Sequence, residues 1–225
     1  MKAQATVVVH MGRASVVTCF LRHRGDILLL RRSPETTTYP GRWAAVSGYV
    51  EDEDPLVTAR REIAEETGFT EPTLARTGTP FTVRDDPSAQ EWAVHPFLFD
   101  VETRAVGLNE ETAEAEWKSP TSIHRRDTVP ALDTSYRHVA PSVASVRNDT
   151  EHGSATVSIT ALEVLRDVAG RTAVTGAGLP RVRETAETLL DARPSMAALR
   201  NRVNRVMSGA GGPAAVEAVA SAGID

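Results

Sequence analysis

The segment from Gly48 to Phe69 gathers Glu53, Arg61, Glu62, Glu65 and Glu66 within a short span. At 100° per residue, Glu62, Glu65 and Glu66 fall on one arc of a helix, beside a narrow apolar arc of Leu56, Ala59 and Ile63. A run of charge on a helix is ordinarily a solvated face. Here that reading is weak. Like charges at i and i+4 destabilise a helix by about 0.2–0.5 kcal/mol, and acids near the C-terminus oppose its macrodipole. A cation should offset both effects. Magnesium does so naturally, because it accepts carboxylate oxygens, keeps several waters and bridges to phosphate.

The helix that must position these acids carries its own start and stop signals. Asp54 suits the N-cap, Pro55 the first turn, and Gly68 a left-handed stop. Through residue 140, short β-type runs alternate with turns: Thr6 to His10, Val16 to His23, Ile27 to Arg31, Trp43 to Val50, Phe81 to Arg84 and Trp92 to Val101. This half is predicted to be α+β or mixed α/β. Arg24-Gly25-Asp26 reads as a hairpin turn, since glycine tolerates the positive φ such turns need. After a polar connection over 141–150, the apolar period becomes helical, with Ala155, Ile159, Leu162, Leu165 and Ala169 three or four residues apart. Further helices are predicted from about Pro180 to Ala192, from Pro194 with the stripe Met196, Leu199, Val203 and Val206, and from Pro213 to Ala222. The expected division is a first domain over 1–140, a linker over 141–150 and a small all-α domain over 151–225.

Arg61, Glu62, Ile63, Glu65, Glu66, Gly68 and Phe69 resemble the signature of the Nudix hydrolase family, with Glu53 eight residues before Arg61. Gly48 and Glu53 enclose four residues where the family has five, so this loop is one residue short. Ile27-Leu-Leu-Leu-Arg-Arg and Pro40-Gly-Arg-Trp resemble the strand and loop before the signature. Trp92 to Val101 and Glu114 to Ser119 resemble later strands. The resemblance implies an α/β/α sandwich around a mixed sheet, and attack of water on a phosphorus of a nucleoside diphosphate linked to another moiety.

By that resemblance, Glu62, Glu65 and Glu66 hold Mg2+, with Mn2+ as an alternative, and the ion lowers the pKa of bound water and neutralises the diphosphate. Arg61 orients a ligand carboxylate, Glu53 supports the helix start or the outer shell, and Gly48 contributes a backbone oxygen. Glu116 and Glu62 are the candidate general bases. Glu114 and Glu116 share one strand face, which reads equally well as solvent-facing. Arg31 and Arg42, with Arg32 nearby, are candidates to clamp phosphate, although surface arginines are common and each taken singly reads as structural.

Composition excludes several other classes. The 225 residues hold 25 Lys+Arg and 30 Asp+Glu, a net charge of -5, which gives no general attraction for nucleic acid or anionic membranes. Almost all positive charge is arginine, with Lys2 and Lys118 the only lysines. Cys19 is the only cysteine, so neither a disulfide framework nor a cysteine-based zinc site is available. The six histidines lack zinc-like spacing, and no nucleophile-elbow pattern is present. No apolar run approaches a membrane span, and the opening residues do not read as a secretory signal. A cytoplasmic location is the expectation.

In the second half, Asp149 to Ser154 and Ala192 to Met196, followed by Asn201, resemble the helical N-terminal region of the initiation factor 2B family, which includes ribose-1,5-bisphosphate isomerase. Catalysis there depends on a Rossmann-like domain after the helices. This sequence ends where that domain would begin, so a truncated product without isomerase activity is expected. The apolar stripes suit a packing module or a homo-oligomer interface. Two alternatives stand beside the hydrolase: a non-catalytic Nudix ligand-sensing module, and a fragment of a factor-like or isomerase-like protein.

Overall fold

The computed structural model describes residues 14–85, 90–209 and 211–224. The run Thr6 to His10 lies outside the described residues. Eight strands form one mixed sheet: β1 (Ala14–His23), β2 (Asp26–Arg32), β3 (Trp43–Ala44), β4 (Val46–Tyr49), β5 (Thr73–Thr77), β6 (Phe81–Asp85), β7 (Gln90–Asp100) and β8 (Thr112–Lys118). β1 and β7 run parallel from Ala14 opposite Trp92 to Arg22 opposite Asp100, and the other pairings are antiparallel. Arg24 and Gly25 both take positive φ, 47° and 80°, in the two-residue turn joining β1 to β2. That is the twist a tight hairpin requires. Pro96, which has no N–H to give, sits where β5 yields to β6 along β7, and its carbonyl accepts from the Gly78 N–H at 2.9 Å.

The sheet is buried on both faces, which is why β1 and β2 read as nearly continuous apolar runs. One face packs Val17, Cys19, Leu21, Leu28, Leu30, Phe97 and Phe99 against Ala59 and Ile63 of α1 (Pro55–Thr67). The other packs Phe20, Ile27, Leu29 and Leu98 against Ile123 of a 3-10 turn (Pro120–Arg125) and against Leu132, Tyr136 and Val139 of α2 (Leu132–Val139). The result is the expected α/β/α sandwich, with a helical region after it.

That region has its own core. α4 (Ser154–Thr175) is surrounded by α5 (Leu179–Ala192), α6 (Ala197–Ser208) and α7 (Pro213–Ala222), with Leu162, Leu165, Leu189, Leu199, Val203 and Val216 fully buried among them. α3 (Val143–Asn148) corrects the reading of 141–150 as a plain connection. Ser142 and Ser145 form a reciprocal capping box, and Val146 is buried in the helical core. The serines that looked like loop composition are helix caps. Trp43 to Val50, read as one strand, is broken into β3 and β4, and β5, the 3-10 turn and α2 are elements that the apolar pattern of the sequence does not announce. No helix among the described residues is long and apolar enough to cross a membrane.

Candidate active site

α1 begins and ends where its sequence dictates. The Asp54 carboxylate accepts from the Leu56 N–H at 2.8 Å, Pro55 opens the first turn, and Gly68, at φ 78°, donates its N–H to the Ala64 carbonyl at 3.0 Å. Its last turn holds no basic residue to balance Glu65 and Glu66. The buried residues Ala59 and Ile63 fix its rotation on the sheet, which turns Glu62 and Glu66 toward β4.

Glu66 is half-buried, and its Oε1 accepts from the Ser47 N–H at 3.1 Å. Burial pushes its carboxyl up to about 8; the Ser47 hydrogen bond opposes the shift and the nearby Glu62 charge adds to it. Burial also raises the Glu62 carboxyl, against the pull of Arg61. The side chain of Glu62 lies on the backbone of Gly48: a Cβ there would stand 2.2 Å from its carboxyl carbon. Arg61 binds three acids at once, with nitrogens 3.1 Å from Glu53, 2.8 Å from Glu62 and 3.3 Å from Glu65. Glu53 also accepts from the Thr58 hydroxyl at 3.0 Å, so it ties Arg61 to the helix start.

Gly48, Glu53, Arg61 and Glu62 line an open groove of about 1240 Å³. Its floor is a row across four strands. Tyr49 opposes Val16, Val16 opposes Val94, and Trp92, on the same face of β7 as Val94, opposes Val83. The Tyr49 and Trp92 rings are 5.9 Å apart, and Tyr49 is 54% exposed. Leu132 and Ser135 of α2 form part of the facing wall, and residues 33–39 form a rim.

The structure brings Gly48, Glu53, Arg61 and Glu62 to the groove. Glu66 lies behind Ser47, and Glu65 points outward on the arc, held by Arg61. Three expected residues are elsewhere. Arg31 donates to the Gly41 carbonyl at 3.1 Å and faces Glu114 at 3.6 Å. Arg42 pairs with Asp127 at 3.5 Å. Glu116 stands opposite Leu29, on the sheet face turned away from α1, bound to Arg126, which holds its carboxyl below the ordinary range. The Arg126 guanidinium in turn stacks 4.0 Å over the Trp43 ring.

Arg32 and Glu111, by contrast, stand beside the acids of α1. Both line the groove, and both charges are felt by Glu66. Arg32 is anchored to the Thr38 carbonyl at 2.8 Å and to its hydroxyl at 3.1 Å. Strand alternation puts Arg32 on the face of Leu28 and Leu30 that packs on α1 and Arg31 on the other, and the register shifts beside them because β8 carries one extra residue between Thr112 and Glu114.

Among the described residues, no three His, Cys, Asp or Glu side chains form a closed metal-binding set. The donor chemistry nevertheless fits a divalent cation. Glu62 and Glu66 are half-buried carboxylates whose proton affinity burial raises, Glu66 further by the Glu62 charge, beside a glycine whose missing Cβ leaves its backbone approachable.

Solved structures with similar folds include a MutT protein from Methanosarcina mazei, 29% identical, covering 58% of this chain and 96% of that one at a TM-score of 0.46. The E. coli ORF135 protein is 22% identical, with 64% and 96% covered and a TM-score of 0.46. The NUDIX domain of Shewanella oneidensis NrtR, a complex with ADP ribose, is 15% identical, with 59% and 92% covered and a TM-score of 0.47. A search of curated proteins gives no match. The family model for the NUDIX domain matches residues 11–139, more than half of the chain, and the chain belongs to the Nudix family.

Proposed function

We propose that this chain hydrolyses a nucleoside diphosphate linked to another moiety, with Mg2+ or Mn2+ held by Glu62, Glu65 and Glu66. The observation that carries the reading is the division of one groove into two chemistries. Gly48, Glu62, Arg61 and Arg32 line one part of it, and beside them lies an apolar floor with the Tyr49 and Trp92 rings. The acidic side suits a cation and its phosphate partner. The flat aromatic side suits a nucleoside, since any base presents a π-face for stacking. Trp92 Nε1, a buried donor without a hydrogen-bond partner, adds a group that an acceptor on the base would satisfy.

A divalent ion on the acidic side supplies an activated water and neutralises diphosphate charge. The protein's part is positioning. Ser47 fixes one oxygen of Glu66, Arg61 fixes Glu62 and Glu65, and Glu53 fixes Arg61. Arg32, pre-set by Thr38, offers a cation toward phosphate. Of the two carboxylates considered as proton acceptor, the geometry favours Glu62, because it lines the groove and burial raises its proton affinity. Glu116 is neutralised by Arg126 outside it.

The helical region is read as a module packed on the hydrolase unit, with its division from that unit near residues 141–150. Hydrolysis of nucleotide sugars, dinucleotides and nucleoside triphosphates, assayed with Mg2+, with Mn2+ and with chelator, tests the proposal. Metal-dependent release of phosphate or nucleotide from one member supports it. Metal-independent turnover, or none, sinks it.

A further inference from the structure

α2, the wall that faces the groove floor, is eight residues long and begins at Ala131, a left-handed residue at φ 59° without a side-chain cap. A helix this short does not hold itself in water, so its position is set by what it packs on. Leu132 and Ser135 line the groove. The next residue, Tyr136, packs edge-on to Phe20 of the sheet at 5.3 Å, and its hydroxyl leaves the hydrolase unit altogether. It donates to Asp167 Oδ2 of α4 at 3.0 Å, with both residues buried.

Asp167 is itself immobilised. Its Oδ1 accepts from Arg166 Nε at 2.8 Å, and Arg166 Nη1 donates to the Gly25 carbonyl of the β1–β2 hairpin at 2.8 Å. One turn earlier on α4, Glu163 lies 3.4 Å from Arg22, which also binds Asp100 at 2.7 Å. At the far end of α2, Arg76 donates to the Ala140 carbonyl at 3.2 Å and to the Ser145 hydroxyl of α3 at 2.6 Å. A line of buried polar groups therefore runs from the hairpin through α4 to the groove wall.

We propose that the helical region is part of the substrate-binding machinery: through the Tyr136–Asp167 bond, α4 positions α2, and Asp167 and Arg166 are positioning residues for the groove. This rests on the reading of the groove as the nucleotide site. Buried charged groups on an internal helix are costly unless fully paired, and here every partner is on the hydrolase unit or on α4 itself. Tyr136 is the member of the line adjacent in sequence to a groove residue, Ser135, so its bond to Asp167 is where α4 reaches the groove wall.

The full-length chain is compared with Tyr136→Phe, Asp167→Ala, Asp167→Asn and the Tyr136→Phe/Asp167→Ala double variant. Calorimetric titration with each of the four common nucleoside diphosphates, in Mg2+, gives affinity apart from turnover because the linked group whose bond is cleaved is absent, and KM and kcat follow on the panel substrate. Tyr136→Phe and Asp167→Ala are expected to weaken affinity and raise KM by about 2- to 30-fold, the range of energetic coupling between linked sites, with kcat within roughly twofold. The double variant should lose no more than the worse single one, because both remove one bond. Asp167→Asn, which keeps a hydrogen-bonding group beside the phenol, should restore most of the affinity. Glu217→Gln, which loosens the contact of α7 with Arg125 and Thr121 without touching α2, should lower the melting temperature and leave affinity unchanged. Lower melting temperatures with unchanged affinity in Tyr136→Phe and Asp167→Ala overturn the inference alone. A wild-type chain that binds none of the four diphosphates overturns the groove reading and the inference with it.

Discussion

At Gly48 the backbone and the Glu62 side chain occupy almost the same space, so the side-chain-free residue is itself part of the site. A methyl group there would stand 2.2 Å from the Glu62 carboxyl, the far end of a flexible side chain. Glu62 can swing aside at little cost to the fold, but it then leaves Arg61 and the groove. Gly48→Ala should therefore leave the thermal transition nearly unchanged and lower kcat by about 10- to 100-fold, the usual scale for an ångström of misplacement. Steady-state kinetics beside a thermal melt check this. Wild-type turnover in Gly48→Ala would show that Glu62 acts from another position. The same close approach explains how a loop one residue short of the family spacing still presents Gly48 to the acids: β4 pairs Gly48 with Val17 and carries it under α1.

α1 shows how much an element can declare in its sequence. Its cap, its stop and its buried stripe of Ala59 and Ile63 were legible because each follows from local stereochemistry. Asp54→Ala should cost about 1 kcal/mol by removing the cap, seen as an earlier denaturation midpoint with turnover per folded molecule preserved. A larger loss would mean that Asp54 does more than cap. Arg31, Arg42 and Glu116 were not legible in this way. Their types suit phosphate or proton transfer, but their directions depend on which face of the sheet packs on α1 and on partners distant in sequence, Asp127 and Arg126. Arg32, one residue from Arg31, reaches the groove for the same reason. α3 was obscured because its capping serines resemble loop residues, and β5 because its short polar run pairs with only part of β7.

Across the whole molecule, the Nudix domain and the helical region share charged groups that neither buries alone. Gly25 marks how close they come, since a Cβ there would lie 2.4 Å from the Ile224 side chain. Glu163 is buried between Arg22, Arg166, Asp167 and Asp100, and burial raises its carboxyl above the ordinary value despite the two arginines. A raised folded-state pKa means that Glu163 favours the folded chain most below the unfolded carboxylate range, and that this contribution is lost as pH climbs through the folded value. Glu163→Gln should therefore compare better with wild type at pH 7 than at pH 4, as read from denaturation at both pH values. A stability difference that stays constant with pH would remove the burial account. The central claim, that the acidic face of α1 works through a divalent ion, is tested most directly by the full-length chain and its Glu65→Gln and Glu66→Gln variants. Hydrolysis of the panel substrate is measured in Mg2+ and in chelator, alongside thermal melts. Each variant should lose activity by about 100-fold or more while remaining folded, with Glu66→Gln as stable as wild type or more so, because burial already disfavours the charged carboxylate there. Near-wild-type turnover in both variants would contradict the account, and an inactive wild type that still binds nucleotide would make the groove a ligand sensor.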